Sequence, residues 1–159
     1  MNSFLQVANY LHANSIRLAT AESCTAGLVA SMLGAIDGCG DWLECGFVTY
    51  SPAAKIRVLG VNPATIERYG LSSEEVAREM AEGALKKSGA NVAIANTGVA
   101  GPDDAPDGTK AGTVCFAWGL QREDGAIRIH SETKLFEGDR NAVRHAAATY
   151  AIENLRRHC

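Results

Sequence analysis

The chain has little of what marks a membrane, secreted or nucleic-acid-binding protein. Hydrophobic residues make up 47% of it, yet no stretch approaches the roughly 18–20 uninterrupted apolar residues of a bilayer span. Neither charge sign dominates. Fifteen Lys and Arg against 18 Asp and Glu leave a net charge of −3, and no basic run or basic-aromatic interleaving of the kind that tracks nucleic acid is present. These absences point to small-molecule partners, with no nucleic acid and no membrane. The opening Met1-Asn2-Ser3-Phe4-Leu5-Gln6 lacks the charged start and long apolar core of a signal peptide, so a cytoplasmic location is expected. Five cysteines are odd in number and irregularly spaced, with no Cys-x-x-Cys, and the four histidines form no His-x-x-x-His pair. That argues against a disulfide framework and against a structural zinc.

No repeat or long linker divides the sequence, and 159 residues suit one domain spanning 1–159. Phe4, Val7, Ala8 and Leu11 recur at helical spacing and predict a first helix. A short apolar strand, Ile16 to Ala21, runs into small polar residues, and a helix is expected from about Cys24 to Gly34. Asp37 to Asp41 reads as a loop tip, and Glu44 to Tyr50 as a strand. Ser51-Pro52 places a hydroxyl cap before a proline at the first helical position, and Leu59-Gly60 ends that helix. After a small helical segment at Ala64 to Tyr69, Ser72 with Glu75 forms a capping box that opens a long helix ending at Gly89. Val92 to Asn96 is a near-continuous apolar run, as in a buried central strand. Gly112 to Leu120 and Ile127 to Leu135 predict a hairpin, and Asp139 to Arg157 a closing helix. The expected fold is α/β: a three-layer α/β/α sandwich with a mixed, mostly parallel sheet ending in a hairpin.

Four stretches are candidates for chemistry. Ser23-Cys24-Thr25 lies where a strand turns into a helix, and backbone N–H groups there stabilise developing negative charge. It is either a plain helix start or a nucleophile in an oxyanion-holding turn, with Ser23 and Cys24 as rival nucleophiles. Tyr50 and Lys55 end a strand and enter the next helix. Lys55 is either an exposed helical lysine or a base, and a base must be desolvated enough to lose its proton. Thr97 to Pro102 is a strand-to-loop turn whose glycines, Gly98 and Gly101, also allow close approach of a ligand to the backbone. Arg140 and Arg144, one turn apart behind Asp139, are either solvated or a grip for phosphate.

Taken in order, these stretches resemble the CinA C-terminal family of competence/damage-inducible proteins. The resemblance rests on Ala21-Glu22-Ser23-Cys24-Thr25-x-Gly27, Gly46-Phe47-Val48-Thr49-Tyr50-Ser51-x-x-Ala54-Lys55 and Leu59-Gly60-Val61. It continues through Ser73-Glu74-Glu75-Val76-Ala77, Thr97-Gly98-Val99-Ala100-Gly101-Pro102, Gly112-Thr113-Val114 and Gly138-Asp139-Arg140. Stand-alone members are nicotinamide-nucleotide amidases. The resemblance therefore implies deamidation of nicotinamide mononucleotide to nicotinate mononucleotide and ammonia, in pyridine nucleotide salvage, without metal or organic cofactor. By similarity Ser23 is the nucleophile and Lys55 its activator. Tyr50 and Thr97 join the catalytic set. Cys24, Thr25, Gly27, Gly98, Gly101, Arg140 and, more weakly, Arg144 are expected to bind substrate. A homodimer or higher homo-oligomer is implied too. Two departures stand out: Ala26 replaces the second residue of the usual Thr-Gly-Gly, and the acidic loop Asp103 to Asp107 replaces a glycine-rich segment. A same-fold hydrolase for another amide, or a non-catalytic nucleotide-binding or partner domain, are the competing readings.

Overall fold

Strand β1 (Leu18–Glu22) is buried along its whole length, and so is all but the last residue of β3 (Val92–Gly98). Continuous apolar runs of this kind need cover on both faces, and the chain supplies it with helices. The computed structural model describes residues 2–159. Its single sheet has the order β2-β1-β3-β4-β5, where β2 is Leu43–Val48, β4 Thr113–Gln121 and β5 Ile127–Leu135. β1 pairs in parallel with β2 and β3, while β4 runs antiparallel to both β3 and β5. Four strands thus share one direction and β4 alone is reversed, which matches the expected mixed sheet with a terminal hairpin. β2 alternates half-buried and exposed residues, as an edge strand does.

Side-chain size separates the two faces. One face presents Ala19, Ala21, Ala93, Ala95 and Ala117 to helix α5 (Glu74–Ser88), which answers with Ala77, Ala81 and Ala84. Small residues on both partners bring the helix close. Helices α3 (Pro52–Leu59) and α4 (Pro63–Tyr69) lie on this side with it. Gly83 in α5 has a packing reason, since a Cβ there would lie 2.0 Å from the Leu59 carbonyl oxygen. The other face carries Leu18, Ile94, Phe116 and Trp118 beneath α1 (Ser3–Ala13), α2 (Leu28–Gly34), α6 (Arg140–Glu153) and α7 (Leu155–His158). No helix among the described residues is long and apolar enough to cross a membrane.

Local chemistry explains most boundaries. Ser51 accepts from the Ala54 N–H and Pro52 follows it, so α3 starts where the cap motif puts it. The cap of α5 is Ser73, which accepts from Val76 N–H, one residue later than the expected Ser72. Ser73 Oγ also donates to the Gly70 carbonyl, which fixes it there. Cys39–Asp41, expected as a plain loop tip, forms a 3₁₀ turn. The closing helix breaks at Asn154 into α6 and α7. The largest correction concerns α2, which begins at Leu28 and not at Cys24. Ala26 and Gly27 have φ of 50° and 95°, and left-handed residues cannot continue a right-handed helix. Ser23 to Gly27 is therefore a free-standing turn between β1 and α2.

β1 connects to β2 on one side while β3 lies on the other. The crevice at the carboxyl ends of β1 and β3 is thus a topological switch point, where open α/β sheets hold ligands.

Candidate active site

Ser23 leaves β1 at that crevice and Lys55 reaches it from the first turns of α3. Lys55 Nζ lies 2.8 Å from Ser23 Oγ, 2.8 Å from the Thr49 carbonyl and 2.9 Å from the Tyr50 carbonyl. The lysine is 0% exposed and has no carboxylate partner among the described residues. Burial without a counter-charge disfavours the ammonium and pulls the Lys55 pKa down to about 8, with Cys24 working weakly in the opposite direction. Lys55 is thus a buried amine whose proton is held more loosely than usual, not an exposed helical cation.

Cys24 has the opposite fate. Its side chain joins the apolar core beside Val29 and Ala100, and burial pushes its thiol up to about 11. A protonated, enclosed thiol is inert. What Cys24 can offer a substrate is its backbone N–H.

The turn is held from below by groups that sequence reasoning overlooked. Glu22, fully buried, accepts from Thr20 Oγ1, Thr25 Oγ1 and the Val29 and Ala30 N–H groups. Its carboxylate occupies the N-terminus of α2, so that helix end is already satisfied and is not the anion site. Asn96 donates from Nδ2 to Thr25 Oγ1 at 2.9 Å, and its carbonyl accepts the Ser23 N–H at 3.1 Å. The Thr25 hydroxyl is thereby spent inside the protein. From above, Arg144 donates to the Cys24 and Thr25 carbonyls at 3.1 and 2.9 Å and to Asn141 Oδ1. Its three nitrogens all have partners on the chain, which makes it a clamp on the turn.

With Ser23 N–H bonded to β3, Ala26 N–H bonded to the Ser23 carbonyl and α2 capped by Glu22, the N–H groups of Cys24, Thr25 and Gly27 are the turn's donors without a backbone carbonyl partner among the described residues, and those of Cys24 and Thr25 lie next to Ser23 in the chain. Asn96 bonds toward β1 and Val99 N–H toward β4, so strand alternation turns the Gly98 N–H to the β1 side, where β1 has already ended. Gly98 must be glycine because a Cβ would lie 2.4 Å from the Thr113 carbonyl oxygen. Thr97, buried, donates its hydroxyl to the Leu71 carbonyl and pins the facing loop. Gly27 ends the turn in the left-handed region.

A pocket of about 460 Å³ opens beside the dyad. Its walls include Tyr50, Leu71, Gly98, Gly101, Asp103, Asp107 and Arg140, and do not include Ser23 or Lys55. Tyr50 joins the two regions, its carbonyl holding Lys55 and its side chain lining the pocket. Arg140 donates to the Tyr50 hydroxyl and to the Gly101 carbonyl, both at 2.7 Å, which sets a guanidinium in the wall. Of the acidic loop, Asp103 and Asp107 line the pocket. Asp104 instead accepts from Ala111 N–H, and Asp107 accepts from Thr109 N–H, a bond that lowers its pKa. Glu22 and Asn96 carry one usable signal: each is a large polar residue in the buried carboxyl-terminal part of a mainly apolar strand.

Comparison with known proteins finds relatives along nearly the whole chain. A family model described as the CinA C-terminal domain matches residues 3–159. Nicotinamide-nucleotide amidohydrolase PncC of Escherichia coli K12 is 43% identical over 150 residues, covering 94% of this chain and 88% of that protein. A CinA-like protein of Chlorobium phaeobacteroides is 45% identical over 134 residues, 84% of this chain but only 32% of the longer relative. Among solved structures, a CinA superfamily protein from Escherichia coli superposes with a TM-score of 0.91 at 40% identity, over 98% of this chain and 87% of that one.

Proposed function

Because the chain belongs to the CinA C-terminal domain family, we propose that it is a nicotinamide-nucleotide amidohydrolase working through a Ser23–Lys55 acyl-enzyme. The family contains a relative of that name that this chain matches nearly end to end. The observation that carries the mechanism is the 2.8 Å contact between Ser23 Oγ and a buried lysine without a counter-ion.

In the proposed reaction the neutral Lys55 amine takes the Ser23 proton as Oγ attacks the carboxamide carbon. The Cys24 and Thr25 N–H groups, with Gly98 N–H opposite, receive the oxyanion. Lys55 returns the proton to the departing nitrogen, ammonia leaves, and a water deprotonated by the same lysine cleaves the ester to release the carboxylate. A cationic pyridinium ring withdraws electrons from the carbonyl, which eases attack. Arg140 is the proposed phosphate partner, at the cost of its bond to Tyr50 or Gly101. Tyr50 forms the wall between ring and dyad. No step calls for a metal or organic cofactor. The product fits a place in pyridine nucleotide salvage, and we expect a homodimer or larger homo-oligomer in the cytoplasm.

Asp103 and Asp107 in the pocket wall favour one alternative, the same Ser–Lys chemistry on an amide without a phosphate. Ammonia release separates the two. Turnover of nicotinamide mononucleotide well above that of free nicotinamide supports the proposal. Equal rates, or preference for an uncharged amide, would assign the second reading. No turnover of any amide, with a melting-temperature shift on adding the mononucleotide, would mark a binding domain.

A further inference from the structure

A second constellation lies at the other end of the sheet order. His130 and Glu132 are two residues apart on β5, so their side chains share a face. In the β4 register they stand opposite Trp118 and Phe116, and α6 and α7 cover that face. His158, in α7, comes down on the pair. His130 Nε2 lies 3.5 Å and His158 Nε2 4.0 Å from the same oxygen, Glu132 Oε2, and the ligand-capable atoms of all three residues lie within 4.8 Å of one another.

We propose that His130, Glu132 and His158 bind one divalent first-row transition ion of the zinc class, which ties the C-terminal helix to the edge strand. Four observations support this. The donor set, two imidazoles and a carboxylate, is one that zinc takes with a fourth position left for water. The spacing is close to what is needed, since ligands about 2.05 Å from a tetrahedral ion are about 3.4 Å apart. The His130 and Glu132 atoms already meet that figure, and His158 Nε2 stands 4.0 Å from the same carboxylate oxygen. Next, His158 has a side chain only 7% exposed, yet its Nε2 is buried with no hydrogen-bond partner. A buried nitrogen aimed at a carboxylate and bonded to nothing is expensive unless something else occupies the gap. Last, Tyr150 donates to the other Glu132 oxygen, leaving Oε2 to face the imidazoles. Such an outer partner is what orients a ligating carboxylate.

The rings of His130 and His158 stack with centroids 3.8 Å apart, so they must splay for both nitrogens to reach one ion. His130 is exposed enough to swing. The site is three strands from β1 and independent of the amidase proposal, so neither result bears on the other.

Zinc chloride titrated into the full chain by calorimetry tests it, alongside cobalt(II) quenching of Trp118, whose ring lies 4.5 Å from that of His158. The Trp42→Phe background isolates that signal. Expected are one zinc per chain, a higher melting temperature with zinc, and at least tenfold weaker binding in both His130→Gln and His158→Gln. His130→Gln keeps the buried packing intact, so its result stands even if His158→Gln unfolds. Absence of binding at millimolar zinc overturns the proposal. So does unchanged affinity in His130→Gln, because the metal would then sit on thiolates elsewhere.

Discussion

The pH dependence of turnover follows from how Lys55 is buried. Its pKa falls to about 8 because the amine is 0% exposed, with two carbonyls and a hydroxyl but no carboxylate around it. At pH 7 about 10% of the enzyme then carries a neutral amine, against roughly 0.03% for a lysine at its ordinary value, a gain of about 300-fold. The rate constant kcat/KM for ammonia release, measured between pH 6 and 10, should rise about tenfold per unit at the acid end. It should level off above about 8. The sign for stability is the same. The folded pKa lies below the unfolded one, so between about 8 and 10.5 the unfolded chain binds more protons and stability grows with pH. Over the whole window this single group contributes up to about 3 kcal/mol. A Lys55→Met variant should lose the kinetic inflection, the turnover and that part of the stability slope together. A profile flat from pH 6 to 9, or one still climbing at 10.5, would refute the assignment of Lys55 as a desolvated base. An inflection near 8 that survives in Lys55→Met would place the base elsewhere.

Three other outcomes are expected. Ser23→Ala should lower turnover by about 10³-fold or more with the fold intact by circular dichroism, whereas Cys24→Ala, which removes a core thiol, should stay within a few fold. Ala26→Gly relieves a left-handed alanine at φ 50° and should raise stability by about 1 kcal/mol, or 2–4 °C in Tm for a domain of this size. The double variant Asp103→Asn, Asp107→Asn should lower KM for the mononucleotide a few fold at low salt, with the effect fading near physiological ionic strength. A raised KM would instead mean that the carboxylates hold the cationic ring or the ribose hydroxyls.

The elements were legible wherever a local device sets them. Ser51-Pro52 and Gly60 bracket α3, and the apolar run into Asn96 marks β3, because caps and burial periods are written in adjacent residues. Ser73 displaced Ser72 as a cap because its hydroxyl has a second partner, Gly70, whose position depends on α4 and the following loop. The start of α2 was misplaced for a related reason. Composition from Cys24 onward suits a helix, but Glu22 bonds the Val29 and Ala30 N–H groups and lets the helix begin only there. Within the site, Ser23 and Lys55 could be paired only through family order, since 32 residues separate them and no short-range pattern links them. His130, Glu132 and His158 escaped for the same reason, since only the packing of α7 onto β5 brings His158 to the other two.

The arrangement around Lys55 would let the proposed Ser23–Lys55 dyad do without a third orienting group. An ammonium has three N–H donors, and here it has three acceptors: Ser23 Oγ, Thr49 O and Tyr50 O. A neutral amine keeps two of those donors for the two carbonyls and turns its lone pair on the Ser23 hydroxyl, which then becomes the donor. Both protonation states use the same three contacts, so the proton can cross between nitrogen and oxygen without any heavy atom changing place. The carbonyls fix the direction of the lone pair, as a carboxylate fixes an imidazole in a triad. They do so without the negative charge that would hold the lysine protonated. An Asp or Glu in place of either carbonyl would position the amine equally well and raise its pKa, removing the base. That Glu22, the one buried carboxylate among the described residues, is turned away onto the N–H groups of α2 is therefore as much a condition of the proposed chemistry as the Ser23–Lys55 contact itself.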